Sequence, residues 1–273
     1  MKAFFRLFLL ILLAGLSLQL YFVGRIAMMA VVDPESTAFE RSAVYSVVTT
    51  TGSLKWRQQW APYANISDNL KRAVIASEDA SFTEHEGVDI EAIEKAWDKN
   101  AKAEKQAGQR VQQPTHKNPG AKTAAKPVKP PKIVGGSTIT QQLAKNLFLS
   151  GERTLLRKGQ ELVLTLLLER LLSKERILEI YLNSVEWGEG VYGAEAASQH
   201  YYRKSASKLS TYEAARLAVM LPRPKYFETR PNSGYLSSRA STIAARMGGV
   251  ELPRFFDRLP FDKFHSVRPY VGI

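Results

Sequence analysis

Two short segments hold side chains that could do chemistry, and the first is acidic. It reads ASEDASFTEHEGVD (76–89) and pairs Glu78 with Asp79 ahead of His85 and a glycine. A carboxylate at the end of an apolar helix, beside a glycine turn, can be partly desolvated, which raises its pKa toward that of a useful general base. A solvated helix end is the commoner explanation and is favoured on this segment alone. A metal site is a third option, but the histidines lack ligand spacing and HExxH is absent.

The second segment, GGSTITQQLAKN (135–146), places tandem glycines before a predicted helix. Ser137 or Thr138 can cap this helix, and Gln141 completes a capping box with Thr138. Four polar residues then share one face by i+3 and i+4 spacing: Thr138, Gln142, Lys145 and Asn146. Free N–H groups at a helix start beside such side chains suit a pyrophosphate. An ordinary capped helix is the alternative, and the tandem glycines favour the anion site.

A third cluster combines Arg157, Lys158 and Glu161 at i+3 and i+4 spacing. As a surface ion pair it would contribute only about 0.3–0.5 kcal/mol. The following Leu162–Leu168 run is apolar on all sides, which predicts a buried, central helix. Buried charges on such a helix are more often functional than incidental.

Two further motif matches fail in context. Gly188–Gly193 fits GxGxxG but follows the helical pattern ILEIYLN instead of a strand, and Glu189 would face a pyrophosphate. We interpret it as a glycine-rich loop. Ser205–Lys208 fits the SxxK of penicillin-binding transpeptidases, but no SDN or KTG follows it, so the match is chance.

The amino-terminal segment predicts a membrane anchor. Leu7–Gly24 has no charge and, with Ile26–Val32, reaches the about 20 apolar residues needed to cross a bilayer. No good small-x-small cleavage site follows, which favours an uncleaved anchor over a signal peptide. Lys2 and Arg6 outweigh Arg25, so we expect a cytoplasmic N-terminus and an external domain.

The rest of the chain must position these segments, and its pattern is mainly helical. Val44–Thr51 is rich in β-branched residues and predicts a short strand turned by Gly52. Ser67 predicts the cap of a helix that ends at Glu78. The other predicted helices are Ile90–Ala103, a helix after Gly135-Gly136 to about Leu149, Leu155–Leu172, Lys174–Asn183, Ala194–Tyr202 and Thr211–Met220.

Composition fits one folded domain with an appendage. The 273 residues are 45% hydrophobic and 23% charged, with a net charge of +12. That charge predicts a polyanionic partner: nucleic acid, anionic lipid or a phosphorylated substrate. The chain has no cysteine, which excludes disulfides and thiolate metal sites.

Residues 106–132 interrupt the helical pattern with a stretch rich in proline and lysine. Such a segment buries too little surface to offset its ordering entropy, so we interpret it as a mobile basic insert. It could bind anionic headgroups. A surface insertion with no role is the alternative.

Four blocks, in this order, resemble the signature motifs of the peptidoglycan glycosyltransferase family, the module shared by class A penicillin-binding proteins and monofunctional transglycosylases. The blocks are SEDASFTEHEGVD (77–89), GGSTITQQLAKNLFLS (135–150), RTLLRKGQE (153–161) and KERILEIYLNSVEWGEGVYGAEAASQHYYRKSASKLS (174–210). A fifth block, 238–247, is weakly similar. The resemblance runs from about Tyr45 to Met247 and, without a transpeptidase domain, points to a monofunctional member.

This resemblance implies a mainly α, lysozyme-like glycosyltransferase domain with a membrane-proximal jaw subdomain, after one transmembrane helix. Residues 1–35 would form the cytoplasmic stub and anchor, and 36–273 the domain. It implies a bacterial inner-membrane enzyme, with its N-terminus cytoplasmic and its catalytic domain periplasmic, that polymerises lipid II into β-1,4 glycan and releases undecaprenyl diphosphate. Its partners would be lipid II, the nascent glycan strand and membrane lipids, with other cell-wall synthesis proteins as further candidates and no nucleic acid.

The resemblance also implies roles for individual residues. Glu78 would be the general base, and Glu161 the second carboxylate, which orders Arg157 and Lys158 near the donor diphosphate. The residues expected to hold phosphates are Ser137, Thr138, Gln142 and Lys145. The residues expected to shape the first-motif pocket are Asp79, Phe82 and His85. No cofactor is certain; a divalent cation (Mg²⁺ or Mn²⁺) at the diphosphate fits the chemistry, but no ligand cluster supports it.

Two other functions stay open on the sequence. A lysozyme or lytic transglycosylase would also use a catalytic glutamate on a helical fold, but a hydrolase has no pyrophosphate for the Thr138–Lys145 face to hold. Sensitivity to moenomycin, a donor-site mimic, would separate the two. A non-catalytic membrane scaffold would be indifferent to Glu78→Gln.

Overall fold

The computed structural model describes residues 1–51, 56–112, 135–149 and 154–253, and these are mainly α-helical, as predicted. The helices are α1 (Lys2–Met28), α2 (Ala38–Thr51), α3 (Asp68–Glu78), α4 (Ile90–Gln112), α5 (Ile139–Phe148), α6 (Leu155–Leu171), α7 (Lys174–Ser184), α8 (Ala194–Tyr202), α9 (Thr211–Met220), α10 (Pro224–Glu228) and α11 (Gly234–Arg246). The strands are β1 (Arg57–Gln58), β2 (Glu186–Gly188) and β3 (Val191–Tyr192). They pair in the order β1-β3-β2, with β1 parallel and β2 antiparallel to β3.

Hydroxyl caps begin most of the predicted helices and explain why their first residues could be placed. The Ser67 side chain accepts an N–H in the first turn of α3, and Thr154 and Ser173 do the same for α6 and α7. Thr138 and Ser210 each form a complete capping box, at α5 and α9. The predictions for α3 and for α5 to α9 are confirmed.

The strand predicted at Val44–Thr51 is wrong, because these residues are the second half of α2. A start signal just upstream decides the helix. The Thr37 N–H donates to Glu40 Oε2 at 2.6 Å, and the Glu40 N–H donates to Thr37 Oγ1 at 3.0 Å. This capping box and packing against α5 outweigh the β-branched composition. The predicted turn at Gly52 lies outside the described residues.

The predicted insert begins later than expected. Helix α4 continues past Ala103 to Gln112, so residues 106–112 are helical. This part of the chain is still rich in good helix formers, and the prolines start only at Pro114. Residues 113–132 of the predicted insert lie outside the described residues.

The expectation of full burial over Leu162–Leu168 is also wrong. Leu164 and Leu168 are fully buried, whereas Leu162 and Leu166 are about half exposed, at 44% and 50%. Helix α6 packs on α5 and α1 along one side, and its other side carries the remaining apolar residues outward. An exposed apolar helix face of this kind suits a membrane surface.

The GxGxxG segment is the turn and second strand of a small hairpin. Strands β2 and β3 pair around Gly190, which has a φ of 70°. Gly193 ends the hairpin with a φ of 83° in close contact with the chain of α7: an added Cβ would lie 2.7 Å from the Asn183 carbonyl oxygen. The Ser205 hydroxyl caps a short 3₁₀ turn and donates to Glu195, which is a structural use of the SxxK serine.

The chain divides into two compact units. One contains Met1–Gly87 and Thr138–Ile273, and the other contains Val88–Ser137. In the first unit, α9 packs against both α3 and α11, and α5 packs against α6 and α7 around a continuous apolar core. In the second unit, Asp89 caps α4, and the closeness of Gly136 to the α4 backbone leaves no space for a side chain there.

Among the described residues, α1 is the one helix long and apolar enough to cross a membrane. Its last turns belong to the folded domain. Phe22, Ile26 and Met29 are buried, and the Phe22 ring meets the Phe148 ring edge-on at 5.4 Å. Helix α1 therefore ends as a packed core element.

Polar contacts fix the same junction. Gln19 and Gln160 exchange side-chain hydrogen bonds of 2.9 and 3.3 Å between α1 and α6. Arg176 on α7 donates from Nε to the Met29 carbonyl at 2.7 Å and pairs with Asp33 at 2.7 Å. These contacts hold α1 to the two helices that follow the second motif.

We expect deletion of residues 1–29 to destabilise the domain more than deletion of residues 1–18. The longer deletion removes three buried apolar side chains, each worth about 1.5–3 kcal/mol, whereas the shorter one keeps them. Thermal unfolding of both variants in the same detergent tests this. Equal melting temperatures would show that the last turns of α1 contribute nothing to the domain.

Candidate active site

Helix α3 ends by placing Glu78 among buried groups. Asp79 leaves the helix with φ −161° and ψ 76°, which turns the chain directly after Glu78. The Gln142 Nε2 group donates to Glu78 Oε2 at 3.1 Å. Burial raises the pKa of Glu78, a change that the Gln142 and Ser77 hydrogen bonds and the charge of Arg239 only partly oppose. The carboxylate is thus partly desolvated, in contrast to the solvated helix end that the segment alone favours.

The Asp79 carboxylate connects the first and second motifs through hydrogen bonds. Its Oδ1 lies 2.8 Å from His85 Nε2, and its Oδ2 accepts the Ile139 N–H at 2.9 Å. Because the Gly87 N–H donates to His85 Nδ1 at 3.1 Å, His85 presents its Nε2–H to Asp79. The carboxylate also sits at the positive end of α5, where negative charge is stabilised. Asp79 and His85 therefore hold the first-motif turn against the start of α5.

Phe82 belongs to the same support. It is fully buried, and Lys174 Nζ lies 4.5 Å above its ring. Glu169 holds Lys174 at 2.8 Å and accepts the Thr140 hydroxyl at 2.6 Å. The first-motif turn is thereby joined to α5 and to the α6–α7 connection through buried polar contacts.

Gly87 closes the first-motif turn against α6. Its φ is 84°, and an added Cβ would lie 2.7 Å from Thr165 Cγ2 and 2.8 Å from Glu169 Cγ. Its carbonyl accepts the Thr138 hydroxyl at 2.7 Å. Only glycine fits this position.

Thr138 makes structural contacts, and its expected phosphate contact stays a prediction. It is 2% exposed, and its hydroxyl donates to Gly87 while accepting the Gln141 N–H of its capping box. The single O–H proton of Thr138 is therefore used within the protein. Ser137 belongs to the other compact unit, so its expected phosphate role stays a prediction.

Gln142 makes two contacts within the protein, and its expected phosphate role stays a prediction. Its amide nitrogen contacts Glu78, and its amide oxygen accepts the Tyr181 hydroxyl at 3.0 Å. The two ends of the amide are therefore used by the base and by a buried tyrosine. The structure makes Gln142 a partner of the carboxylate.

The charged residues of α5 and α6 converge as predicted. Glu161 is buried and accepts from Arg157 Nη1 at 3.2 Å and from Lys158 Nζ. Lys145 feels the charges of all three, and burial lowers the pKa of its ammonium. One carboxylate thus faces three cations.

Two donors of this cluster have no partner within the described part of the chain. Arg157 Nε is buried without a hydrogen bond, and the Lys145 ammonium, which is partly buried, has none either. Unpaired buried donors beside excess positive charge provide a site for an anion. Glu161 has both oxygens occupied, which suits a positioning role and excludes it as a free base.

A family profile described as transglycosylase matches residues 46–248. The biosynthetic peptidoglycan transglycosylase of Burkholderia thailandensis is 53% identical over 240 residues, which is 88% of this chain and 84% of that protein. The protein of the same name from Burkholderia pseudomallei is 51% identical over 240 residues, with the same coverage. That of Paraburkholderia phytofirmans is 49% identical over 241 residues, 88% of this chain and 90% of the relative.

This chain belongs to the transglycosylase family. The matched range agrees with the range predicted from the motifs. The match confirms the predicted family, the mainly α fold after one apolar helix, and glycosyltransferase as the class of enzyme. The chain is therefore a glycosyltransferase. The candidate site of this transglycosylase lies where α3, α5, α6 and α7 meet.

Two residues near Glu78 escape prediction from the sequence. Tyr181 lies inside the fourth block, where its apolar surroundings are typical of a core residue. Arg239 comes from α11, in the weakly matched fifth block, and its charge opposes the rise in the Glu78 pKa. The basic side chain of Arg239 in the fifth block was the one sequence feature that could have pointed to its place near Glu78. No sequence feature pointed to Tyr181.

The cation expectation stays a prediction. Around Lys145 the described groups are donors, and the only carboxylate, Glu161, is already paired. A divalent cation prefers free oxygen ligands, so these side chains supply positive charge themselves.

We expect Glu78→Gln to raise the melting temperature near neutral pH. The raised pKa means that the folded state binds this proton more tightly than the unfolded state, so ionised Glu78 destabilises the fold at neutral pH. The gain should be about 2–4 °C, as about 1 kcal/mol produces in a domain of this size. It should shrink as the pH falls toward the ordinary glutamate pKa of about 4.3 and vanish below that value.

Thermal unfolding from pH 4 to 8 measures this effect. Glu84→Gln, a change at an exposed residue of the same motif, is the control. A Glu78→Gln protein that is less stable than the control at pH 7 would contradict the expectation.

Proposed function

We propose that this transglycosylase polymerises lipid II into β-1,4 glycan strands, with inversion at the donor sugar and release of undecaprenyl diphosphate. The observation that carries the proposal is a desolvated Glu78 in the same compact unit as a cation cluster with unpaired donors. Relatives of about 50% identity bear the name biosynthetic peptidoglycan transglycosylase, which supports a role in cell-wall synthesis. Substrate and nascent strand would be its main partners.

The reaction needs one base. Ionised Glu78 takes the proton of the 4-hydroxyl of the acceptor lipid II, and that oxygen attacks C1 of the donor sugar. The bond from C1 to the diphosphate oxygen breaks as the new bond forms on the opposite face, so an α-linked donor gives a β-linked product. A raised pKa makes the carboxylate a stronger acceptor for this proton.

The leaving diphosphate needs positive charge at the moment of bond cleavage. Lys145, Lys158 and the free Arg157 Nε provide it, while Glu161 orients the arginine and Lys158. Fixed cations in a partly buried site stabilise developing negative charge without reorganising. This excess of cations also favours polymerisation over hydrolysis, since a hydrolase has no diphosphate to hold.

We also propose a single-pass inner-membrane location, with α1 spanning the bilayer and the catalytic domain periplasmic. Lys2 and Arg6 on the cytoplasmic side support this orientation. The exposed leucines of α6 would contact membrane lipids at the outer surface. Protease protection in spheroplasts tests it: an added protease should digest the domain, and a protected domain would contradict the topology.

In a lipid II polymerisation assay in detergent, Glu78→Gln should lower the turnover by about 10²–10⁴-fold, the usual contribution of a general base. Glu84→Gln should retain the wild-type rate. Polymer formation by Glu78→Gln at the control rate would remove Glu78 from the mechanism. Absence of polymer from the folded wild-type protein would contradict the proposed reaction.

Lys145→Met should lower the turnover by about 10²–10³-fold, as loss of one charge-stabilising group does. Lys145 is the better test of the cluster because its ammonium has no hydrogen-bond partner among the described residues, so its removal leaves the Glu161 pairs intact. Lys208→Met, at an exposed lysine, is the control. Equal rates for the two variants would show that Lys145 does not meet the diphosphate.

A further inference from the structure

A buried tyrosine is joined to the proposed base through one amide. The Tyr181 hydroxyl donates to Gln142 Oε1 at 3.0 Å, and Gln142 Nε2 donates to Glu78 Oε2 at 3.1 Å. Tyr181 is 1% exposed, so no solvent replaces this contact. The three groups form a chain that runs from α7 through α5 to the end of α3.

The direction of this chain follows from the groups themselves. An ionised carboxylate only accepts hydrogen bonds, so Gln142 must turn its NH₂ toward Glu78. The amide oxygen then faces Tyr181 and needs a donor. Burial raises the pKa of Tyr181 well above its ordinary value, so the phenol keeps the proton that it donates.

If the Tyr181 hydroxyl were absent, the Gln142 amide would no longer strongly favour the orientation with its NH₂ toward Glu78. Its oxygen would be buried without a partner, and the rotated amide, with its oxygen toward a protonated Glu78, would become more favourable. The phenol also polarises the amide and strengthens the N–H bond to the carboxylate. Both effects favour the ionised form of Glu78.

Helix α7 holds Tyr181 in place through rigid contacts on its own turns. Asn183 makes a double contact with Ala61, accepting its N–H at 2.8 Å and donating to its carbonyl at 2.9 Å. Glu179 accepts the Tyr63 N–H at 3.0 Å and pairs with Arg176 at 2.7 Å. The tyrosine is therefore presented by a fixed element.

The other groups that face Glu78 cannot replace the hydrogen bond from Gln142. The charge of Asp79, its neighbour in the chain, raises the Glu78 pKa, and the charge of Arg239 on α11 lowers it. The Ser77 hydroxyl lies 3.5 Å from Glu78 Oε1, at the limit of a hydrogen bond. Gln142 is thus the one close donor to the carboxylate among the described residues.

We propose that Tyr181 is a positioning residue for the glycosyl transfer: it fixes the Gln142 amide so that the amide keeps Glu78 ionised and oriented. The catalytic part of this statement rests on the proposed function, whereas the effect on Glu78 is a property of the folded protein. Tyr181 contacts no reacting atom and acts only through Gln142.

The first test is the titration of Glu78 in the full-length protein, followed by NMR of ¹³C-carboxyl-labelled glutamate and assigned by the signal lost in Glu78→Gln. Tyr181→Phe should raise the Glu78 pKa by about half to one unit, the size of one lost hydrogen bond. Tyr192→Phe, at a buried tyrosine that bonds Glu186, should leave it unchanged. An unchanged Glu78 pKa in a folded Tyr181→Phe protein would overturn the proposal.

A double-mutant cycle separates this role from a packing defect. In a Gln142→Ala background, Tyr181→Phe should cause no further shift, because the amide that transmits its effect is gone. A shift of equal size in both backgrounds would overturn the proposed route. This cycle stays informative even if Tyr181→Phe lowers the melting temperature.

The second test is the pH dependence of lipid II polymerisation. Tyr181→Phe should move the acid limb to higher pH by the same half to one unit, with a smaller rate loss at high pH and an unchanged KM. A uniform rate loss at all pH values would overturn the positioning role. If the wild type makes no polymer but the titration shift is present, the proposed function fails and the Tyr181–Gln142–Glu78 coupling stands.

Discussion

The geometry of the candidate site depends on the contacts of one buried carboxylate, that of Asp79. Asp79 binds His85 with one oxygen and the first N–H of α5 with the other, so it joins two sequence motifs separated by about sixty residues. Together with the direct hydrogen bond from Gln142 to Glu78, this bridge sets the helix that ends at Glu78 against the helix that carries Gln142. An aspartate is short, charged and buried here, which makes its geometry narrow and its loss costly.

Around that bridge the molecule separates two opposite electrostatic environments. Burial raises the pKa of Glu78 despite the opposing charge of Arg239, while Lys145 and Arg157 lie in a cluster in which one carboxylate faces three cations. A proton acceptor and an anion site use opposite means, removal of water in one case and surplus charge in the other. One compact unit provides both because α5 carries a residue of each on successive turns.

Local signals in the sequence predicted most of this arrangement, and tertiary contacts decided the rest. Capping hydroxyls located the helices, and the family motifs pointed to Glu78 and to the charges before Leu162. Residue type and spacing did not reveal that the Thr138 hydroxyl donates to the Gly87 carbonyl. They also did not reveal that the Tyr181 hydroxyl donates to the Gln142 amide oxygen. Such assignments depend on which neighbour arrives from a distant helix. The misread strand in α2 has the same origin, since a cap and packing overrode local propensity.

The packed end of α1 limits how far the folded domain can move relative to that helix. A domain on a flexible linker explores a range of heights and tilts above the bilayer, and each productive encounter then carries an entropic cost. With Phe22, Ile26 and Met29 inside the core, the domain has no such freedom. In the proposed topology, with α1 spanning the bilayer, the candidate catalytic groups would keep a fixed orientation to the membrane normal, and a lipid-linked headgroup would reach them by diffusion in two dimensions.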